Sequence, residues 1–467
     1  MKILIVGAGR IGSSVAESLV SEANDITVVD QDAERIGSLQ SRFDLRGVVG
    51  NATSPQVLTD AGAADTDMLI AVTSSDETNL VVTMLCARIF NIPTRIARVR
   101  NNELRDYPRI LGEEGFEATS IIWPEQALVS YLIKLIDFPE AIQVQEFGEG
   151  LASLIAVRAK SGSPLVGRPI RELFTHLPQV PARIVAIFRR NRRLEVNAST
   201  IVEAGDEVIC LCDTRHARRV MAELRHRERP VHSIMIAGKP SFTLNLARML
   251  KTGENRPGGN FDIRILENDR NVVKRLSREL GDAAMLIEGD FTSEDVLDAA
   301  GIETCDLFIA VSENDENNIL GALLAKKLGA GKTIALVNRK AYGDLMQGSQ
   351  IDITLSTTTA ALGELIRHVR RGDAAYSLRR GAAEALEIVA HGDRRSSKVV
   401  GRRIGSISLP EGCAIGALIR GNDENALVLM GDKDTVIEAE DHVIVFVPSK
   451  KLIPKIERLF TVNVGFF

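Results

Sequence analysis

The chain has no apolar run approaching the ~20 residues that span a bilayer. No secretory leader is expected either, since Lys2-Ile3-Leu4-Ile5-Val6 runs straight into a glycine turn. The expectation is a cytoplasmic protein whose work at any membrane goes through a partner. Charge of one sign is missing as well. The formal net charge is −5 over 467 residues, without the domain-wide basic footprint of a nucleic-acid binder. The local clusters Arg189-Arg190-Asn191-Arg192-Arg193 and Arg215 to Arg229 read as solvated surface. Cysteine is sparse. Cys86, Cys210, Cys212, Cys305 and Cys413 are odd in number, scattered and set in apolar runs, where a free thiol behaves as a small hydrophobe. A lone Cys210-x-Cys212 without a second pair is no metal motif. Catalytic signatures are missing too: there is no G-x-S-x-G, no H-E-x-x-H and no Walker A sequence. His176, His216, His226, His232, His368, His391 and His442 fall in no recognisable catalytic motif.

What is there is said twice. Asp67-Met68-Leu69-Ile70-Ala71-Val72-Thr73 returns as Asp306-Leu307-Phe308-Ile309-Ala310-Val311-Ser312, and Gly50-Asn51-Ala52-Thr53 as Gly289-Asp290-Phe291-Thr292. Ile3 to Val6 is echoed by Ser233 to Ile236, Leu165-Val166-Gly167-Arg168 by Val399-Val400-Gly401-Arg402, and Val202 to Ile209 by Ile437 to Ile444. The chain is a tandem duplication split near Arg229-Pro230. In each half, continuous Ile/Val/Leu runs alternate with helical stretches, the pattern of a parallel sheet covered on both faces. Short strands with Gly/Pro turns follow from about Ala141. The fold class is α/β: two tandem Rossmann-like doubly wound domains (1–137 and 231–370), each followed by a small α+β C-lobe (140–228 and 384–467). The stretch Arg370 to Ala383 reads as the second link.

The first half opens on Gly7-Ala8-Gly9-Arg10-Ile11-Gly12, a G-x-G-x-x-G placed directly after a strand and before a helix expected over Ile11–Ser21. The glycines allow a tight turn, close approach of phosphate to backbone, and close helix–strand packing. The helix start offers free N–H groups to phosphate. The next strand ends on Asp30, placed to accept hydrogen bonds from ribose hydroxyls and to repel a 2′-phosphate. Further candidates lie after strand ends, where open sheets bind ligands: Asn51, then Thr73, Ser74 and Asp76, then Arg98 and Arg100. The two arginines either reach a polyphosphate or pair with acidic neighbours. In the second half the three glycine positions read as Ala237, Lys239 and Phe242, with Pro240 removing an N–H. Glu267 still ends the following strand. The acidic echo survives while the phosphate cradle is damaged. The insertion Lys251 to Asn260 has loop composition.

The duplicated order resembles the tandem RCK (KTN) family, the cytosolic regulatory subunits of bacterial Trk potassium-uptake systems. The likeness rests on Gly7-x-Gly9-x-x-Gly12, Asp30, the G-(N/D)-x-T turn, the Ala71-Val72-Thr73…Asp76-Glu77…Asn79 segment and the small β-rich lobe. It covers essentially the whole chain. It implies a regulator and not an enzyme: a homotetrameric gating ring at the cytoplasmic face of the inner membrane, beneath a channel-like potassium subunit. It implies binding of NAD(H) and ATP or ADP. The contacts it suggests are Gly7, Gly9, Arg10, Ile11, Gly12, Asp30, Asn51, Thr73, Ser74, Arg98 and Arg100, with Glu267 in the second unit. Asn51 departs from the family's common Asp. A helix over Trp123-Pro124-Glu125 to Ile136 is expected to cross to a neighbouring unit. The competing expectations are an NAD-dependent oxidoreductase and a nucleotide-sensing scaffold for another transporter.

Overall fold

The computed structural model describes residues 1–20, 24–190, 192–226, 230–252, 260–346, 350–369, 374–378, 383–421 and 426–462. The first half begins with β1 (Lys2–Val6), β2 (Asp25–Asp30), β3 (Arg46–Val49), β4 (Met68–Ala71), β5 (Thr94–Arg98) and β6 (Ser120–Ile122). They form one parallel sheet in the order β3-β2-β1-β4-β5-β6. The order reverses between β1 and β4, which opens a crevice at the carboxyl ends of these two strands. Along β1, Ile3 and Ile5 enter one apolar cluster and Leu4 and Val6 another. Burial on both faces is why the strand reads as an unbroken apolar run. The sixth strand escaped the sequence reading because three residues are too few to show a period. The helix after the turn spans Arg10–Val20, one residue earlier than expected.

A lobe follows, made of β7 (Ala141–Phe147), β8 (Ala152–Arg158), β9 (Ala182–Arg189), β10 (Arg192–Arg193) and β11 (Glu207–Asp213). The second half repeats the parallel sheet with β12 (Ser233–Gly238), β13 (Asp262–Glu267), β14 (Met285–Glu288), β15 (Leu307–Val311), β16 (Lys332–Leu336) and β17 (Ile353–Leu355). Its order is β14-β13-β12-β15-β16-β17. The second lobe holds β18 (Ala374–Leu378), β19 (Ala383–Val389), β20 (Ala414–Arg420), β21 (Leu427–Met430) and β22 (His442–Val447). Both lobe sheets are antiparallel and share one topology, β10-β9-β11-β8-β7 matching β21-β20-β22-β19-β18. The segment expected to be a plain link therefore contributes β18, paired along β19. Cys210 and Cys212 are buried on one face of β11 in the lobe core. In the insertion, Lys251 and Thr252 extend a helix; positions 253–259 lie outside the described residues.

The two halves exchange helices. The helix Pro124–Asp137 follows β6, yet Leu128, Val129, Leu132 and Ile136 join the core of the second sheet with Ile234, Ile236, Phe242 and Leu246. Its counterpart after β17, Thr357–Val369, sends Ala361, Leu365 and Val369 into the core of the first sheet with Ile3, Ile5, Val15 and Leu19. The crossing expected of the 123–136 segment takes place within the chain, and it is reciprocal. Among the described residues, no helix is long and apolar enough to cross a membrane.

The lobes also meet directly. Phe147, Leu154, Ile209 and Leu211 of the first share an apolar cluster with Ala417, Ile419, Ile444 and Phe446 of the second. At the rim of this junction Glu387 is only 8% exposed. It accepts a hydrogen bond from the Gly148 N–H at 3.0 Å and pairs with His442 Nδ1 at 2.7 Å. That bond to Glu387, opposed by burial and helped by the charges of Glu387, Glu149 and Glu440, raises His442 above its ordinary 6.5. A raised folded-state value makes the contribution complete below the unfolded value. It is lost as pH climbs through the raised one. Unfolding followed from about pH 6 to about pH 9 should show the junction weakening as pH rises, and His442→Gln should flatten that dependence. A variant as pH-sensitive as the parent would remove His442 as the source.

Candidate functional site

The first turn uses its three glycines for three different reasons. Gly7 has φ +106°, and a Cβ there would stand 3.0 Å from the Thr73 backbone. Gly12 lies against the turn, and its Cβ would be 1.8 Å from the Gly7 carbonyl oxygen. Gly9 differs: a Cβ built there meets nothing within 4 Å. No protein contact requires a glycine at that position, so the open space suits a ligand that approaches the backbone. The helix Arg10–Val20 has no acidic residue in its first turn, so its positive end is not neutralised from within.

Asp30 ties the turn down. Its Oδ2 accepts the Ala8 N–H at 2.6 Å and its Oδ1 the Asp32 N–H at 2.9 Å. Each carboxylate oxygen retains a second lone pair for a ribose hydroxyl. Arg10 is exposed at the mouth, whereas Ile11 is 7% exposed and belongs to the core. What Ile11 can offer a ligand is its backbone N–H. Thr73 is held by Asn79, whose Oδ1 accepts from both the Thr73 N–H and hydroxyl at 2.8 Å. Ser74 is exposed beside it. Asn51 turns on itself, its Oδ1 accepting from the Thr53 N–H at 3.0 Å and hydroxyl at 2.9 Å. Asp290 makes the same turn in the second unit.

The arginine pair divides. Arg100 is tied up: its N–H reaches Asp76 Oδ2 at 2.9 Å, its Nε lies 3.6 Å from Asp76 Oδ1, and its Nη2 donates to the Ser74 carbonyl. Arg98 is half-buried, with Nη1 donating to the Thr73 carbonyl at 3.2 Å and a buried Nε that has no partner. Burial pushes the Arg98 guanidinium below its ordinary range. Arg100 and Arg10 add to this, while Asp76 and Glu125 oppose it. Pairing with an acidic neighbour, one of the two readings left open by the sequence, is seen for Arg100 and not for Arg98. Arg98 is a desolvated cation with an unused donor, which an anion would satisfy.

The second crevice corrects the sequence reading by one residue. Asp67 N–H bonds the Lys2 carbonyl and Asp306 N–H the Ser233 carbonyl, so Ile3 answers Ile234, not Ser233. The first glycine is therefore retained as Gly238, with φ +132° and its Cβ direction against Val311 and Ser312. Burial along the helices sets the rest. Ile11, Val15, Ala16 and Leu19 match Phe242, Leu246, Ala247 and Leu250. Pro240 then stands for Gly9 and Thr243 for Gly12, while Ala237 is strand core and Phe242 ordinary helix core. The misalignment arose because runs of interchangeable apolar residues align equally well in two registers, and only the ladder distinguishes them. Glu267 repeats Asp30 in accepting the Asp269 N–H at 2.9 Å.

A larger asymmetry went unread. Asn79 Nδ2 donates to the Arg98 carbonyl and Asn318 Nδ2 to that of Leu336, both at 2.9 Å. Asp76 accepts from the Arg100 and Asn101 amides as Asp315 does from Asn338 and Arg339. Arg98 and Arg100 are thus replaced by Leu336 and Asn338, and Arg10 by Ser241. The signal was available in the repeat, where Arg95 to Arg100 faces Thr333 to Asn338. Among the described residues no group of His, Cys, Asp and Glu is arranged to hold a metal.

Comparison with known proteins agrees with the duplication. The TrkA-N domain model matches residues 3–123 and 234–357, and the TrkA-C domain model matches 154–225 and 394–461. The chain is 44% identical to the Trk system potassium uptake protein TrkA of Halomonas elongata over 100% of both chains. It is 43% identical to that of Vibrio alginolyticus over 98% of both. Among solved structures, the crystal structure of the GsuK RCK domain superposes with TM-score 0.58 at 16% identity, covering 98% of this chain and 94% of that one. The GsuK channel gives 0.59 at 17%, covering 98% and 78%. At those identities the likeness carries the fold, which is that of RCK units. With tandem TrkA-N and TrkA-C matches along its length and full-length relatives above, this chain belongs to the TrkA family.

Proposed function

We propose that the chain is a nucleotide-sensing regulatory subunit of a potassium-uptake system, acting as a gating ring on a membrane channel subunit and not as an enzyme. Its relatives carry the name of a potassium uptake system. The ring is a homotetramer at the cytoplasmic face of the membrane, assembled from the units 1–137, 140–228, 231–370 and 384–467. The ligands are ATP or ADP and NAD(H), held in the first crevice. Asp30 takes the ribose. The turn at Gly7, Gly9 and Gly12 takes the first phosphates, aided by the amides of Arg10 and Ile11. Arg98 and Arg10 take the phosphate end, with Asn51, Thr73, Ser74 and Arg100 lining the approach. Glu267 holds the ribose position of the second unit. A nucleotide regulates only by binding two ring shapes with different affinity, and a crevice whose sheet packs on the other unit's helix would feel such a change.

The observation that carries this reading is the unpartnered, buried Nε of Arg98, whose Nη1 bonds the carbonyl of Thr73, the residue against which the first glycine of the turn packs. Calorimetric titration of Arg98→Ala should weaken ATP and ADP by roughly tenfold to a hundredfold, the loss of one charge-assisted bond to phosphate, with thermal stability retained. Wild-type binding in that variant would sink the assignment. Because Arg100 is already tied to Asp76 and the Ser74 carbonyl, Arg100→Ala should leave the ratio of ATP to ADP affinity close to that of the parent; a changed ratio would make Arg100, and not Arg98, the group that counts phosphates. Potassium flux through the membrane partner, measured during nucleotide titration, tests the regulatory role itself.

A further inference from the structure

The exchanged helices do not present the same chemistry to the two glycine turns. At the second turn, the helix Pro124–Asp137 brings Glu125 onto the start of the helix Pro240–Thr252. The Glu125 carboxylate pairs with Lys239 Nζ, and its other oxygen lies 3.4 Å from the Ser241 hydroxyl. Lys239 and Ser241 are the counterparts of Ala8 and Arg10. Glu125 therefore lies on the two side chains that stand where the first turn carries Ala8 and Arg10. Next to it, Gln126 Oε1 accepts from Asn245 Nδ2 at 2.8 Å and fixes the approach. That helix has no acid of its own in its first turn, so Glu125 supplies the negative charge that its positive end favours. At the first turn the corresponding position, counted from the paired ends Ile122 and Leu355, is Thr358. A hydroxyl there leaves the anion place uncharged.

We propose that Glu125 is a specificity-determining residue for the second crevice: it stands in for a nucleotide phosphate there and keeps phosphate-bearing ligands out. This rests on the nucleotide reading of the first crevice. One carboxylate satisfies Lys239, and a polyphosphate would have to displace it while facing its charge. Pro240 removes one competing N–H, and Leu336 removes the cation that Arg98 supplies in the first unit. The crevice keeps a ribose carboxylate, Glu267, beside a phosphate place filled from within. The second unit thus reads nothing anionic while Glu125 is seated, and the chain has one phosphate-competent crevice.

Equilibrium dialysis of full-length protein against radiolabelled ADP tests this by counting sites per chain. Glu125→Ala, which frees Lys239 to pair with phosphate, should gain one site over wild type, with ADP bound at the new site at least about tenfold more tightly than at the intact second crevice. The isosteric Glu125→Gln should gain the same site more weakly while preserving the fold, and Lys239→Ala should gain none. An unchanged site count in both Glu125 variants overturns the proposal. The wild-type count tests the first crevice separately, because the proposal depends only on the difference between variant and wild type.

Discussion

Replacing Gly9 by Asp is expected to raise the dissociation constant for ADP at least about a hundredfold while leaving the protein as stable as wild type. The two halves of that expectation come from different facts. A Cβ at Gly9 meets nothing within 4 Å, so the protein itself has room for a side chain. Gly9 immediately precedes the helix Arg10–Val20, a position where Asp caps free amides well and where negative charge is favoured. The stability of the fold therefore holds or rises slightly. The same carboxylate would fill the space left for phosphate and repel it. Gly12→Ala is the contrasting case. Its Cβ would lie 1.8 Å from the Gly7 oxygen, so the helix must move off the strand at a cost of about 2 kcal/mol or more, and binding falls because the turn falls. Calorimetric affinity and thermal denaturation on the two variants separate a ligand-facing glycine from a packing glycine. Intact ADP binding in Gly9→Asp would falsify the placement of phosphate on this turn.

Leu365→Ala should destabilise the first unit, although Leu365 belongs by sequence to the second. The side chain is fully buried and packs with Ile3, Ile5, Val15 and Leu19 beneath the first sheet. Truncating a buried leucine costs roughly 2–5 kcal/mol, depending on how far the site collapses. Hydrogen exchange locates the damage: amides of β1, β2 and β4 should lose protection while β12 to β16 change less. Leu132→Ala, buried against the second sheet, should give the mirror result. If each substitution weakened only the unit that carries it in sequence, the helix exchange would not be holding the two units together in solution.

Much of the fold was legible because its determinants are local. A strand buried on both faces shows as an unbroken apolar run, and a phosphate turn needs glycines at fixed spacing whatever surrounds it. Asp30 was found because it closes the strand that follows. The duplication was visible as repeated words, and the likeness to the tandem RCK family rested on those words. The reading failed where composition was degenerate. Ser233–Ile236 aligned equally well one residue away, and the three-residue strand Ser120–Ile122 had no period to detect. The replacement of Arg98 by Leu336 depends on the register of the repeats, which backbone pairing fixes and apolar composition does not.

By itself, then, the sequence determined two Rossmann-like units with small β-rich lobes, a nucleotide-type turn in the first and a degraded one in the second. Those features arise from neighbours a few residues apart, where backbone geometry and side-chain period act directly. Tertiary structure alone decided which arginine is tied to Asp76 and which keeps a free donor, that each sheet is completed by the other unit's helix, and that Glu125 sits on the second turn. Each of these is a meeting of groups that lie far apart in the chain, Glu125 and Lys239 being 114 residues apart. No local pattern encodes such a pairing; it exists because the apolar faces of two helices found their complementary surface on the opposite unit.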